Sequence, residues 1–164
     1  MASTVSLVPS AESARKSTRG IRRFVTESSA DQPKSPNPSG GWASAMGLSI
    51  VKLEKDEVVI EWTVDGRHRQ PYGLVHGGVH CGVVETACSL GAGLNSEGAG
   101  VVGVENHTSF VRAVRDGKLR ATARPLHIGA RAQLWEAQIV DERDRLVATG
   151  RVRLFRVDAG RPGA

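Results

Sequence analysis

Aromatic side chains are scarce: three Trp, three Phe and one Tyr make up 4% of 164 residues, although 40% are hydrophobic. A chain so poor in rings has little with which to stack the bases of a single-stranded nucleic acid. Long apolar runs are missing too. No stretch approaches the roughly 18 consecutive apolar residues of a membrane span, and no short apolar core with a small-residue cleavage site follows the start. Neither membrane insertion nor secretion is therefore expected, and the expected setting is the cytoplasm. Cysteine is limited to Cys81 and Cys88. Seven residues apart on a helix, they stand about 10 Å apart along its axis, too far to bridge, so a disulfide framework is excluded.

What is present fits one globular domain of ordinary size. The formal charge of +5 invites a nucleic-acid reading, so its distribution matters more than its sum. Residues 1–40 hold six basic side chains against three acidic ones, or +3, and the other 124 residues hold sixteen against fourteen, or +2. The first forty residues are rich in Ser, Pro and Arg, with apolar residues scattered singly, and too little apolar surface to offset the entropy of ordering. They read as a disordered basic tail. Their acid-poor start has the flavour of an organellar transit peptide. The excess of Arg over Lys, 17 to 5, points instead to a GC-rich bacterial genome.

From residue 41 to 158 the pattern is that of a domain, with a short flexible C-terminus at 159–164. Strands are expected at Gly47–Leu53, Glu57–Val64, Val101–Arg112, Lys118–Ile128, Arg131–Asp141 and Leu146–Val157. In the second, Val58, Ile60, Trp62 and Val64 share one face, and in the fourth Leu119, Ala121 and Ala123 alternate with Arg120, Thr122 and Arg124. One helix is expected, from about Gly78 to Asn95. With Gly82, Ala87, Gly91, Ala92 and Gly93 its intrinsic propensity is poor, glycine costing about 1 kcal/mol against alanine. Such a helix needs tertiary contacts, and its small residues let neighbours approach closely. The fold class is α+β, with a helix against an antiparallel sheet.

Among Val83, Val84, Ala87 and Cys88 this helix carries one ionisable residue, Glu85, and Ser89 shares its face four residues on. A carboxylate in the apolar surroundings expected there, with a hydroxyl beside it, can serve as base or nucleophile once substrate excludes water. Upstream, His76-Gly77-Gly78 opens the helix. Free N–H groups and the helix dipole at that end favour the negative charge that develops on a thioester or ester oxygen. Gly77 and Glu85 are about 12 Å apart along one helix axis, so a single carbonyl cannot reach both within one chain. If both act on one bond, they come from two subunits, which predicts a homodimer with antiparallel helices at the site.

Other patterns carry less. Gly98–Gly103 matches the Gly-x-Gly-x-x-Gly fingerprint by letter, but it follows a helix and enters a strand, the reverse of the dinucleotide-binding context. His76 and His80 have i, i+4 spacing without the glutamate or third ligand of a zinc site, and no metal is expected. Asn106-His107-Thr108 is a formal glycosylation triplet, irrelevant without secretion.

The run Arg69-Gln70-Pro71-Tyr72-Gly73-Leu74-Val75-His76-Gly77-Gly78, then Glu85 with Ser89, closely resembles the hotdog-fold acyl-CoA thioesterases of the PaaI-like group. The likeness leans to the Arthrobacter-type 4-hydroxybenzoyl-CoA and the 1,4-dihydroxy-2-naphthoyl-CoA thioesterases. Val102–Arg112 and Pro125–Trp135 match as well, so the resemblance spans roughly 42–157. It implies a hotdog fold, one central helix wrapped by a curved sheet of five to six strands. It implies Glu85 as nucleophile or general base, the Gly77 amide on the thioester carbonyl, and Gln70 orienting that carbonyl. His76 lies beside the carbonyl, and Ser89 holds the hydrolytic water. Gly78, Gly129 and Arg131 would bind substrate, with Arg131 on a CoA phosphate, although Ala130 departs from the hydroxyl or serine common there; a guanidinium suits a pyrophosphate. The implied partner is an acyl-CoA, aromatic by the nearest likeness, cleaved without cofactor by a homodimer or a dimer of dimers.

Three other functions compete. A non-catalytic hotdog regulator that binds acyl-CoA has no reason to keep a carboxylate beside a thioester. A hotdog hydratase would need a histidine and an acidic residue aimed at a β-carbon, and no such pair is evident on the helix. Nucleic-acid binding through the tail is weakened by its dispersed charges.

Overall fold

The computed structural model of the protein describes residues 41–157. The expected tail at 1–40 and the C-terminus at 159–164 lie outside the described residues. Alternation settles the sheet: Val58, Ile60 and Trp62 on β2 (Val58–Thr63) and Leu119, Ala121 and Ala123 on β4 (Lys118–Ile128) are buried. The two strands pair antiparallel with Ile60 opposite Ala121. One face is thus dry and the other wet, as period-two sequences require.

β1 (Ser49–Leu53), β3 (Gly100–Phe110), β5 (Ala132–Asp141) and β6 (Leu146–Val157) complete six strands, every pairing antiparallel, in the order β1-β2-β4-β5-β6-β3. Across the dry face lies α2 (Gly77–Leu94), in contact with β2, β3, β4, β5 and β6. This is the expected hotdog arrangement, and the expected helix and strands match to within two residues at each end. Val79, Val83, Val84, Ala87, Cys88 and Ala92 form the helix's share of the core.

Tertiary contacts account for the poor helix formers. A β-carbon on Gly91 would overlap the indole of the fully buried Trp135, and one on Gly82 would overlap that of Trp42. The glycines admit rings at van der Waals range, and the dispersion gained offsets the lost propensity. Trp42 comes from a helix that the sequence pattern did not signal, α1 (Gly41–Ala45), too short for a period to register. Between β2 and α2 the polar segment is not fully wet either. A single 3-10 turn, Gly66–His68, is capped by Asp65, and His68 is buried, its Nδ1 accepting the Asp65 N–H and its Nε2 donating to Met46 O at 2.8 Å.

Candidate active site

α2 starts at an extended residue. His76 (φ −66°, ψ 133°) is its N-cap, and the ring Nδ1 accepts the Gly78 N–H at 2.9 Å. Among the described residues nothing takes the N–H of Gly77, so one amide at the positive end of the helix stays available. Backbone must be bare here. A β-carbon on Gly77 would come within 2.6 Å of the Phe110 ring, and one on Gly78 within 2.8 Å of His76 Nδ1.

The loop before it is held from both sides. Gln70 donates its N–H to Leu74 O, and its Oε1 accepts the Tyr72 N–H at 3.0 Å. That leaves the amide nitrogen of its side chain without a partner among the described residues. Val75 N–H donates to Val114 O, and Arg115 Nη1 donates to Tyr72 O at 3.1 Å.

Two turns further along α2, Glu85 is half-buried and turned away from Val83, Val84, Ala87 and Cys88, which face the core. Its surroundings are polar, not apolar as the sequence neighbours suggested. Asn106 Nδ2 on β3 donates to Glu85 Oε2 at 2.9 Å, and Ser89 Oγ stands 3.4 Å from Oε1. The bare Cα of Gly103 lies against the same carboxylate. Both halves sit on one helix, about 12 Å apart along its axis at 1.5 Å per residue.

The profile of the thioesterase superfamily matches residues 72–148, which contain both halves apart from Gln70. The Mycobacterium tuberculosis protein Rv1847/MT1895, provisionally named an esterase, is 42% identical over 135 residues, 80% of this chain and 96% of that one. The chain belongs to the thioesterase superfamily. Another relative, the Escherichia coli 1,4-dihydroxy-2-naphthoyl-CoA hydrolase, is 34% identical over 114 residues, 69% of this chain and 84% of that one. Among solved structures, Rv1847/MT1895 superposes with a TM-score of 0.69 at 45% identity, over 73% of this chain and 98% of that chain. The Haemophilus influenzae thioesterase HI1161 superposes with 0.72 at 32% identity, over 77% and 89% of the two chains. The protein is therefore a hydrolase of this superfamily.

In this thioesterase, Gly129 and Arg131 lie in the turn between β4 and β5. Glycine is needed there because a β-carbon would come within 2.9 Å of Ala132 O. Arg131 is exposed and has no carboxylate partner among the described residues. His76 caps the helix, while His80 is buried against Phe110, ring centroids 6.0 Å apart, with Nδ1 unpartnered among the described residues. Burial holds its pKa down at about 4, so it is neutral at physiological pH. Burial, reinforced by Glu85 and Glu136, raises the Cys88 thiol well above its ordinary value and keeps it protonated.

Sequence reasoning assigned no role in the site to Asn106, Thr108, Gly103 or Phe110. A signal was available: Asn106 and Thr108 stand two apart, hence on one face of a strand that borders the helix.

Proposed function

We propose that the protein hydrolyses an acyl-CoA thioester, R–CO–S–CoA plus water giving R–COOH and CoA–SH. Glu85 serves as nucleophile or general base, and the Gly77 N–H polarises the thioester carbonyl. The observation that carries this reading is the make-up of two places on α2, its first turn and Glu85 at mid-helix. One offers an unclaimed amide with the helix dipole behind it; the other offers a carboxylate whose oxygens are held by neutral donors. Negative charge growing on the thioester oxygen is stabilised at the first, and the attack starts from the second. Gln70 orients the carbonyl with its amide nitrogen, and His76, by engaging Gly78, leaves Gly77 as the donor. Ser89 holds the attacking water near Glu85 Oε1. Gly78 contributes bare backbone against which the thioester lies, and Gly129 and Arg131 bind the CoA phosphates, a guanidinium being suited to them. An aromatic acyl group is supported by the name of the Escherichia coli relative.

The separation of Gly77 from Glu85 requires two chains, with Gln70, His76 and Gly77 from one and Glu85 and Ser89 from the other. β3 supports a dimer. It is eleven residues long, lies at the sheet edge with β6 on one side only, and exposes Val102, Val104 and Phe110. A long, apolar, uncovered edge is what a second copy of the same strand can close.

Thiol release from a panel of acyl-CoAs, wild type against Glu85→Ala, tests the assignment. Turnover by the wild type and its collapse in the variant are expected. Acyl-CoA binding without thiol release would make the protein a regulator, and full activity in the variant would remove Glu85 from the chemistry. Single turnover in ¹⁸O-water then separates the routes: label in Glu85 marks an anhydride, and its absence marks water activated by the carboxylate.

A further inference from the structure

We propose that Asn106 is a positioning residue that gives the two oxygens of Glu85 different jobs; the inference rests on Glu85 being the carboxylate that acts. Every polar atom of the Asn106 side chain is committed. Its Nδ2 has two hydrogens and two acceptors, Glu85 Oε2 at 2.9 Å and Cys81 O at 3.1 Å. Its Oδ1, which can only accept, takes the hydroxyl of Thr108 at 2.7 Å. Thr108 thereby decides which end of the amide faces the carboxylate. The glycosylation triplet of the sequence is, in the fold, a relay from Thr108 through Asn106 to Glu85.

The backbone is shaped for this contact. The register of β3 against β6 shifts between Gly103 and Glu105, a bulge of the kind that re-aims side chains beside active sites. On one side of it Gly103 has no side chain to obstruct Glu85; on the other Asn106 reaches the helix. Oε2 is thus anchored to the sheet. Oε1 is left against the bare Cα of Gly103, with Ser89 Oγ 3.4 Å away. The electron pair that attacks the carbonyl carbon, or takes a proton from water, comes from Oε1, while Oε2 keeps its hydrogen bond. A glutamate otherwise free to turn about three torsions is held in the one orientation that presents this oxygen.

Asn106→Ala and Thr108→Val test the relay, with acyl-CoA hydrolysis followed by thiol release and folding checked by thermal melting. For Asn106→Ala, kcat falls about 10- to 100-fold while KM stays within about twofold, because the lost interaction orients the reacting group and not the substrate. Thr108→Val lowers kcat in the same direction by about threefold or more, and the double variant is no slower than Asn106→Ala alone, because Thr108 acts through Asn106. Should Asn106→Ala not fold, Thr108→Val carries the test by its own split between kcat and KM. A kcat within twofold of wild type, a loss carried by KM, or losses that multiply in the double variant overturns the assignment. These outcomes are separable from failure of the catalytic reading. That failure shows as no turnover by the wild type or as full activity in Glu85→Ala, before Asn106 is touched.

Discussion

Replacing Gly103 with alanine acts on activity more than on stability, and both effects can be worked from the structure. The added methyl would overlap Glu85 Oε1. Gly103 is not among the glycines with positive φ, so the backbone accepts alanine without strain. The obstructed atom is the far end of a flexible side chain, so the fold yields by turning the carboxylate aside. Doing so breaks the 2.9 Å bond from Asn106 and the approach of Ser89. A hydrogen bond to a charged group is worth about 1.5–3 kcal/mol. At about 1.4 kcal/mol per decade, kcat should fall roughly 10- to 100-fold. The lost bond also costs stability, and the preference of a strand for alanine over glycine, about 0.5–1 kcal/mol, offsets only part of it, so the net loss stays below about 2.5 kcal/mol. Thiol release and a urea melt on the same preparation check both. A kcat within twofold of wild type would show that the carboxylate is not used where the fold holds it. A stability loss well beyond about 2.5 kcal/mol would show that the methyl disturbs the sheet instead.

Three further outcomes follow from other parts of the molecule. The unfolded chain protonates His80 near pH 6.5 while the folded chain resists until about pH 4, so stability declines as pH falls through that window, by up to about 3 kcal/mol. Urea melts at pH 6.5 and 4 should show the decline in the wild type and a flatter dependence in His80→Leu. Asp65 and Asp141, held down near 2 by hydrogen bonds from Arg67 and Arg145, lose their contribution below about pH 3.8, and Glu57, lowered by its hydrogen bond from Lys52, titrates alike in wild type and variant, so the difference between the two reports His80. Co-expressed Glu85→Ala and Gln70→Ala chains, each nearly inactive alone, should recover about a quarter of wild-type turnover, since half the dimers are mixed and each has one intact site. No recovery would place both residues in one subunit's site. Arg131→Ala should raise KM for an acyl-CoA about fivefold or more, yet leave turnover of the matching N-acetylcysteamine thioester unchanged, because that substrate lacks phosphates. Equal losses on both substrates would remove Arg131 from phosphate binding.

How much of this could be read beforehand depended on whether a residue's partner was near in sequence. The faces of β2 and β4 were legible because burial repeats every second residue, and Glu85 stood out as a lone charge on a helix of small residues. The reason for the small residues was only half legible. The pattern asks for close neighbours but does not name Trp42 at Gly82 or Trp135 at Gly91, which lie 40 and 44 positions away. Asn106 was hidden for another reason. A bulge between Gly103 and Glu105 breaks the period by which a strand's faces are assigned, and only the folded register brings Asn106 to Cys81 and Glu85. The environment of Glu85 was misjudged in the same way, since its apolar sequence neighbours point to the core and its polar spatial neighbours come from β3 and the next helical turn.

The positive charge takes on a different meaning once the ion pairs are placed. Across the sheet and its turns, Lys118 meets Glu61, Arg120 meets Asp144, Arg124 meets Glu57, Arg151 meets Glu136 and Arg153 meets Glu105. Exposed pairs of this kind add about 0–1 kcal/mol each, so their main effect is local neutrality, not stability. Among the described residues the arginines without a carboxylate partner are Arg69, Arg112, Arg115, Arg131 and Arg143. Arg69 donates to Arg115 O at 2.8 Å and Arg115 to Tyr72 O at 3.1 Å, so this pair braces the loop that carries Gln70. Arg112 adjoins the end of β3 that covers Gly77, and Arg131 stands in the β4–β5 turn. A polyanionic substrate approaching this surface therefore meets a sheet made neutral by its own pairs. The unbalanced arginines it does meet lie beside the start of α2 and in two turns, Arg131 between β4 and β5 and Arg143 between β5 and β6, so a domain of nearly zero net charge still offers local positive charge to a phosphate-bearing thioester.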